Sequence, residues 1–202
     1  MNRKAGNSAN NTVRIIGGRW RRRKLEFPPI EGLRPTPDRV RETVFNWLQA
    51  ELHGARVLDA YCGSGVLGLE SLSRGAVEAT FIDSSSKVCR QLKQHVDTLE
   101  ANNAVIHKQA VLNWIEDAAS ECISFDIVFI DPPYDTDLLQ ASIDAILAAG
   151  LLATHGLLYT EFESDSEPLL PDQLSVCKTL DAGNNRYILA RLLPRGTNQS
   201  SY

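Results

Sequence analysis

The chain has 202 residues, of which 43% are hydrophobic, and carries a formal net charge of −4. This length and composition predict one domain with a sizeable core, which we expect to be monomeric. No apolar run approaches the ~20 residues of a membrane span, and the N-terminus has no apolar secretion signal. These features argue against a membrane partner and favour a cytoplasmic protein.

The charge is unevenly distributed along the chain. Residues 1–42 hold eleven of the 21 basic residues but only four of the 25 acidic residues. A basic arm on an acidic body indicates a polyanionic partner bound at one end of the molecule.

Cysteine and histidine spacing gives no sign of a metal site or a disulfide framework. The four cysteines show no CxxC pair, and the four histidines are equally scattered. We therefore expect reduced thiols at Cys62, Cys89, Cys122 and Cys177.

The N-terminal part is predicted to be a tail followed by a basic hairpin arm. Residues 1–12 are polar and are expected to be disordered. In the next stretch, VRIIGGRWRRRKLEF, Gly17 and Gly18 are typical of a two-residue turn between two strands. An arginine-rich start can also be an organelle transit peptide, which this hairpin pattern argues against. We assign the arm to residues 13–35.

A helix is predicted to follow the arm, in TPDRVRETVFNWLQAEL. Thr36 is the expected N-cap and Pro37 the first helical residue. Asp38 then lies next to the positive end of the helix dipole.

From residue 56 onward, strand-like and helix-like stretches alternate. The predicted strands are RVLDA, EATFID, AVIHKQ, FDIVFID and GLLYTEF, separated by the helices GVLGLESLSR, SSKVCRQLKQHVDTLEA, VLNWIEDAAS and LLQASIDAILAAG. LSVCKTL and RYILARLL are predicted to close the sheet as a hairpin that turns across Gly183, Asn184 and Asn185. Repeated βα units imply a mostly parallel, doubly wound α/β domain over residues 36–194, followed by a flexible tail at 195–202.

Polar residues end four of these strands, and ligands bind at that edge of doubly wound sheets. They are Asp59, Asp83, Gln109 and Asp131. We expect them to lie on one face of the domain.

The stretch VLDAYCGSGVLG carries a G-x-G-x-x-G pattern between a strand and a helix. Such a loop brings backbone close to a nucleoside ligand, and an acid about 20 residues on, here Asp83, binds ribose hydroxyls. A dinucleotide-binding fold would share both features. Asp59 favours S-adenosylmethionine over NAD, because a carboxylate suits a cationic amino group better than a pyrophosphate.

The stretch FIDPPYD points to a clamp for an amine on a flat ring. Asp131 and the backbone carbonyl beside Pro132 can accept the two N–H hydrogens of a nucleobase amine, and the prolines stiffen the loop. Tyr134 offers a stacking surface for an extruded base. The rate enhancement would then come from positioning and preorganised electrostatics as the amine attacks a sulfonium methyl.

Four stretches together resemble the RsmD family, the bacterial 16S ribosomal RNA guanine-N2 methyltransferases. They are RIIGGRWRRRKL, LRPTPDRVRETVFNWL, VLDAYCGSGVLGLESLSRGA and FDIVFIDPPYD, and the resemblance covers most of residues 13–191. Many methyltransferases share the glycine loop and the DPPY motif, whereas the first two stretches are more specific.

The resemblance implies a Rossmann-like class I methyltransferase fold, with a seven-stranded sheet whose last strand is antiparallel. It also implies methyl transfer from S-adenosylmethionine to one guanine of 16S rRNA, in the small ribosomal subunit or an assembly intermediate. The implied catalytic loop is Asp131, Pro132, Pro133 and Tyr134. The implied cofactor site is Asp59, Tyr61, Gly63, Ser64, Gly65, Asp83, Gln109 and Ala110.

Three residues depart from the family pattern. Tyr134 stands where relatives often have Phe, and Gln109 where they often have a shorter Asn or Asp. Arg22 replaces a glycine in the arm.

The basic arm is interpreted as an RNA-binding surface, with guanidinium groups on phosphates and the indole of Trp20 on a base or sugar. Such contacts position an RNA without reading its sequence. Arg39 and Arg41 have an alternative role facing the active site. The expected RNA-binding residues are Arg14, Arg19, Trp20, Arg21, Arg22, Arg23, Lys24, Arg34, Arg39 and Arg41.

Three other functions compete with guanine-N2 methylation. The DPPY motif also suits adenine-N6 or cytosine-N4 methylation of DNA or RNA, since all three targets carry an exocyclic amine. An NAD-dependent dehydrogenase would share the glycine loop. A non-catalytic RNA-binding protein would keep the arm but transfer no methyl group.

Overall fold

A computed structural model of the chain describes residues 11–27, 36–133 and 137–194. The predicted tail residues 1–10 and 195–202 lie outside the described residues, as do Arg34 and Tyr134. The strands are β1 (Asn11–Arg14), β2 (Lys24–Phe27), β3 (Arg56–Ala60), β4 (Glu78–Asp83), β5 (Ala104–Lys108), β6 (Phe125–Ile130), β7 (Leu152–Glu163), β8 (Leu174–Ala182) and β9 (Asn185–Leu192). The helices are α1 (Asp38–Trp47), α2 (Val66–Ser73), α3 (Ser86–Thr98), α4 (Val111–Ala118) and α5 (Leu138–Ala148).

Seven strands form one sheet in the order β5-β4-β3-β6-β7-β9-β8. The first five of these pair in parallel, and β9 is antiparallel to both of its neighbours. The closing hairpin turns at Gly183 and Asn184, because Ala182 pairs with Asn185. The predicted mostly parallel sheet with an antiparallel last strand is confirmed.

Helices cover both faces of this sheet, which explains why the central strands are apolar throughout. Buried side chains of α1, α2 and α3 pack on one face together with the N-terminal arm. Those of α4 and α5 pack on the other face. Among the described residues, no helix is long and apolar enough to cross a membrane. All four cysteines are free thiols.

The arm is a two-stranded antiparallel hairpin, but its turn is not where the sequence predicts it. β1 begins at Asn11, inside the predicted tail, and Arg14 pairs with Lys24. The connection therefore spans residues 15–23 rather than the two glycines. Local turn chemistry is overridden because this loop bonds to α2, where the Trp20 N–H donates to Ser73 Oγ at 2.9 Å.

The helix α1 begins at Asp38, and the predicted N-cap at Thr36 is wrong. The Thr36 hydroxyl donates instead to Glu161 Oε2 on β7, at 3.1 Å. Pro37 occupies the N-cap position instead, and no side chain of the described residues caps this end of α1. Asp38 does lie in the first turn, as predicted.

Candidate active site

Three carboxylates meet at the carboxyl edge of the adjacent strands β4, β3 and β6. Asp59 pairs with Phe81 on one side and with Phe129 on the other. Asp83 and Asp131 come two residues after those two partners, and side chains two apart on a strand point to the same face. The register thus brings together acids that are far apart in the sequence, as the strand-end pattern predicts.

The glycine loop is shaped so that helix α2 starts directly above this edge. Gly65 has φ +70° and serves as the N-cap of α2, a conformation that favours glycine. A Cβ on Gly68 would come within 2.2 Å of the Phe81 ring and 3.1 Å of Asp59 Oδ2. Gly65 is therefore favoured by its backbone conformation, and Gly68 is required by the close packing of α2 on the sheet.

Asp59 and Asp83 are both bonded to backbone of this loop. Asp59 is 3% exposed, and its Oδ2 accepts from the Gly68 N–H at 2.9 Å. Asp83 Oδ2 accepts from the Gly63 N–H at 3.1 Å, while its Oδ1 accepts from the Ser85 N–H at 2.8 Å before α3. Asp83 thus stabilises the turn before α3 and also contacts the glycine loop.

The other predicted cofactor residues differ in how their side chains are placed. Tyr61 has φ +62°, an uncommon conformation for a non-glycine residue, and its hydroxyl is 2.8 Å from Ser142 Oγ on α5. Ser64 is buried in the loop. The Gln109 N–H donates to the Asp83 carbonyl oxygen, but the Gln109 side chain turns to Asp117 Oδ2 at 2.7 Å. Ala110, next along the chain, is the N-cap of α4.

The two carboxylates beside this loop fit a cationic nucleoside cofactor. The Asp59 carboxylate can hold an ammonium group, and the Asp83 carboxylate keeps acceptor positions for ribose hydroxyls beyond its two backbone bonds. Burial raises the pKa of the Asp83 carboxyl, and its two backbone hydrogen bonds lower it. These acids are poorly placed for a pyrophosphate.

Asp131 begins the predicted catalytic loop at the end of β6. Burial raises the pKa of its carboxyl well above the ordinary value, and the negative charges of Glu161 and Asp59 raise it further. Pro132 is buried and Pro133 is exposed. Next to these prolines opens a cleft of about 480 Å³, which also reaches Glu161 on β7 and Leu169 after it.

Sequence reasoning missed Glu161, although the sequence contains a signal for it. The side chain is 5% exposed and lines the cleft. A lone acid inside the apolar strand LLYTEF indicates a buried carboxylate with a specific task, since burying a charge is costly unless other groups stabilise it.

A protein family described as Conserved hypothetical protein 95 matches residues 13–191 of the chain. Ribosomal RNA small subunit methyltransferase D of Escherichia coli is 41% identical over 188 residues, which cover 93% of this chain and 93% of that protein. The Haemophilus influenzae protein of the same name is 38% identical over 184 residues, covering 90% and 95%. The chain belongs to the RsmD family.

Solved structures agree with this assignment to the RsmD family. Escherichia coli yhhF is similar with a TM-score of 0.82 at 38% identity, covering 92% of this chain and 100% of that chain. RsmC of Thermus thermophilus, a 16S rRNA N2 methyltransferase, is 21% identical with a TM-score of 0.62, covering 91% of this chain and 50% of that chain. At that identity the likeness concerns the fold alone. The predicted class I methyltransferase fold is confirmed.

The structure corrects the predicted RNA-binding role of two residues in this RsmD-family chain. Trp20 is buried in the core between the arm and the body, so its indole has no free face for a base. Arg41 is 0% exposed and bonds to Asp38 Oδ1 at 2.6 Å and to the Arg14 carbonyl oxygen at 2.9 Å. Apolar burial and ion pairing hold both side chains away from any RNA.

The other described basic residues of the RsmD-family arm are exposed. Arg14 is exposed but paired with Asp38 at 2.9 Å. The Arg19 guanidinium lies over the Trp20 ring, 4.1 Å from its centroid. The exposed residues of the predicted RNA-binding set are Arg14, Arg19, Arg21, Arg22, Arg23 and Lys24 in the arm and Arg39 on α1.

We expect cofactor affinity in this RsmD-family protein to rise with pH through the titration of Asp59. Burial raises the pKa of Asp59 to about 7; the Gly68 N–H opposes this shift and the charge of Asp83 adds to it. Below that pH the carboxyl is neutral and cannot pair with the cofactor ammonium, so binding weakens about tenfold per pH unit. Calorimetric titration of S-adenosylhomocysteine between pH 5.5 and 8.5, a range set by that pKa, would measure this.

The Asp59→Asn variant is the control, because its amide oxygen can still accept the Gly68 N–H. It should bind the cofactor weakly at every pH, with a flatter profile. An unchanged slope in this variant would assign the pH dependence to another group.

Proposed function

We propose that this protein transfers a methyl group to the exocyclic N2 amine of a guanine in 16S rRNA of the small ribosomal subunit. The observation that most directly supports this proposal is that Asp59, Asp83 and Asp131 lie at one edge of the sheet. The glycine loop lies on one side of this edge, and the cleft lined by Pro132 and Pro133 lies on the other. Relatives named as small subunit ribosomal RNA methyltransferases support an rRNA substrate.

The methyl donor is S-adenosylmethionine, the cofactor of this methyltransferase fold. When bound, it supplies an electrophilic methyl on a sulfonium sulfur. Asp59 is placed to hold its amino group and Asp83 its ribose, next to backbone amides of the glycine loop.

The catalytic loop is proposed to orient the target amine. Asp131 and the carbonyl beside Pro132 accept the two amine N–H groups, which turns the nitrogen lone pair toward the methyl. As the N–C bond forms and the C–S bond breaks, one amine proton leaves. A carboxylate with a raised pKa is a competent acceptor for that proton. Tyr134 is proposed as the stacking partner of the base.

The exposed residues of the arm are proposed to bind RNA phosphates. The loop of residues 15–23 is held rigidly against α2 by backbone and side-chain hydrogen bonds. Arg22 has φ +71°, a conformation that glycine adopts far more easily, so a guanidinium is placed here at a conformational cost of about 1 kcal/mol. A strained charged residue on an exposed rigid loop is typical of a binding surface.

Neutralising three residues of the arm should weaken RNA binding and flatten its salt dependence. Each lost phosphate contact lowers the slope of log affinity against log salt by roughly 0.7 to 0.9. We expect the triple variant Arg21→Gln, Arg22→Gln, Arg23→Gln to lose up to roughly 2 to 3 units of slope in filter binding. Lys178→Gln, on the edge strand β8, is the control. An unchanged slope in the triple variant would remove these arginines from the interface.

The test of the function is labelled methyl transfer followed by nucleoside analysis. Unmethylated small subunits, naked 16S rRNA and DNA are each incubated with the protein and labelled S-adenosylmethionine. N2-methylguanosine from subunits is the expected product. Methyladenine or methylcytosine would replace the proposal by adenine-N6 or cytosine-N4 methylation, and no label would overturn it.

A further inference from the structure

Leu169 exposes an apolar side chain beside the candidate active site. It is 83% exposed, the largest value for any large hydrophobic residue in the described part of the chain. It follows β7 and lines the cleft of about 480 Å³ together with Pro132 and Pro133 of the predicted catalytic loop. An apolar side chain left in water forgoes the free energy that its burial would supply. Its position therefore indicates a contact that forms when the substrate binds.

A single exposed leucine is common on protein surfaces, but the backbone of Leu169 is held on both sides. The Leu169 N–H donates to Gln140 Oε1 at 2.8 Å, and Gln140 Nε2 donates to the Leu169 carbonyl oxygen at 3.1 Å. The same Nε2 donates to Asp144 Oδ1 at 3.0 Å, one turn further along α5. Pro168 and Pro171 fix φ before and after this residue. The loop is thus in place before binding, so less conformational entropy is lost when the side chain makes a contact.

The lining of the cleft determines which part of an RNA can enter it. Among the described residues, this lining includes four acids and no basic side chain. The acids are Asp137, Glu161, Glu163 and Glu167, of which Glu167 pairs with Arg186 at 3.0 Å. A negative lining repels the phosphates of an RNA backbone but is compatible with the N–H groups of a nucleobase. A base can therefore enter the cleft while its ribose–phosphate chain stays at the rim, where Leu169 lies.

A base that enters this cleft leaves a gap in its stack. A nucleobase has to leave the stack before an enzyme can act on it, and the lost stacking costs free energy. Proteins offset such a cost by inserting an apolar side chain, such as leucine, between bases. The inserted group has to be apolar, exposed, fixed in place and close to the pocket that receives the base. Leu169 meets these four conditions.

We propose that Leu169 is a wedge that enters the RNA base stack when the target guanine turns into the cleft. Its side chain contacts the nucleobase next to the target and replaces the lost stacking. Gln140 is the positioning residue that holds this wedge. The inference rests on the proposed guanine-N2 methylation and adds the group that keeps the target base extruded.

The test compares two substrates that differ in the stacking of the target base. Small subunits are reconstituted with 16S rRNA that carries either the normal nucleotides or abasic residues on both sides of the target guanine, at the position mapped by nucleoside analysis. On normal subunits, Leu169→Ala should lower kcat/KM about tenfold or more, because nothing then replaces the lost stacking. On abasic subunits there is no stack to break, so wild type and Leu169→Ala should differ less than about threefold.

Two further variants separate the apolar contact from the position of the loop. Leu169→Met keeps an apolar side chain of similar volume and should methylate normal subunits at close to the wild-type rate. Gln140→Ala leaves the leucine in place but frees its backbone. Its loss of kcat/KM should be smaller than that of Leu169→Ala and should appear on normal subunits only.

Leu193→Ala is the matched control, because Leu193 is 44% exposed after β9 and does not line this cleft. It should leave both kcat/KM values unchanged. Since Leu169 is exposed, Leu169→Ala should keep the wild-type S-adenosylhomocysteine affinity and melting temperature. Equal losses of Leu169→Ala on the two substrates, or no loss on either, would overturn the wedge and leave the proposed function intact. Failure of the wild-type protein to form N2-methylguanosine would overturn both.

Discussion

The Asp131→Ala variant is expected to transfer methyl at least ~100-fold more slowly than the wild-type protein, with nearly unchanged S-adenosylhomocysteine affinity. Asp131 lies on the proposed substrate side of the edge, whereas Asp59 and Asp83 bond to the glycine loop. Removing its carboxylate would take away the acceptor proposed to orient the amine, a contact expected to strengthen as charge develops on nitrogen. Single-turnover transfer rates and calorimetry would give the two quantities.

Asp131→Asn separates orientation of the amine from acceptance of its proton. An amide oxygen can still accept one N–H, but an amide cannot take the proton. Because the pKa of Asp131 is raised by burial and by the charges of Glu161 and Asp59, the wild-type rate should fall as the pH is lowered through that raised pKa. The rate of the Asp131→Asn variant should not decrease in this way as the pH is lowered. Asp165→Ala, at an exposed acid after β7, is the matched control, and turnover near wild type in Asp131→Ala would refute the role of this carboxylate.

A loss of about 3–5 kcal/mol in the free energy of unfolding is expected for Glu70→Ala. Glu70 is 0% exposed on α2. Its carboxylate accepts from the Ile16 and Gly17 N–H groups at 2.6 and 2.7 Å, and from Arg74 Nε at 2.7 Å. Arg41 Nη1 lies 3.9 Å from its Oε2. Alanine would leave one buried guanidinium and two backbone donors of the arm without this acceptor.

Urea unfolding of Glu70→Ala and of a surface control variant would measure this loss of unfolding free energy. Glu78→Ala, which removes a partly exposed pair with Arg56 at 3.1 Å, should cost at most ~1 kcal/mol. Glu70→Gln keeps an acceptor for one backbone N–H, so its loss of unfolding free energy should lie between those of Glu70→Ala and Glu78→Ala. This variant allows the comparison to be made even if Glu70→Ala does not fold. Equal losses for Glu70→Ala and Glu78→Ala would show that the arm does not depend on this carboxylate.

Glu70 also shows why the arm was predicted only in part. Two glycines followed by arginines are typical of a short hairpin turn. The actual loop is longer because its backbone N–H groups find acceptors on α2, more than fifty residues away in the sequence. Glu70 stands in the largely apolar stretch VLGLESLS, so the sequence held a sign of a buried charge but not of its partners.

The sequence by itself determined the order of strands and helices, the glycine loop and the position of Asp131 and its two prolines at the end of β6. These follow from local patterns: apolar periodicity, glycine spacing and proline stiffness act on neighbouring residues. Even the closing turn at Gly183 and Asn184 is local, since the pairing of Ala182 with Asn185 needs only a two-residue connection.

The tertiary structure decided which charged and aromatic side chains are buried and which meet. Trp20 and Arg41 belong to the interior rather than to the RNA surface, and Thr36 bonds to Glu161 rather than capping α1. Strands β6 and β7 acquire their register only when the sheet assembles, which places Glu161 beside Asp131. Burial and charge pairing depend on contacts between distant segments, and no local pattern encodes them.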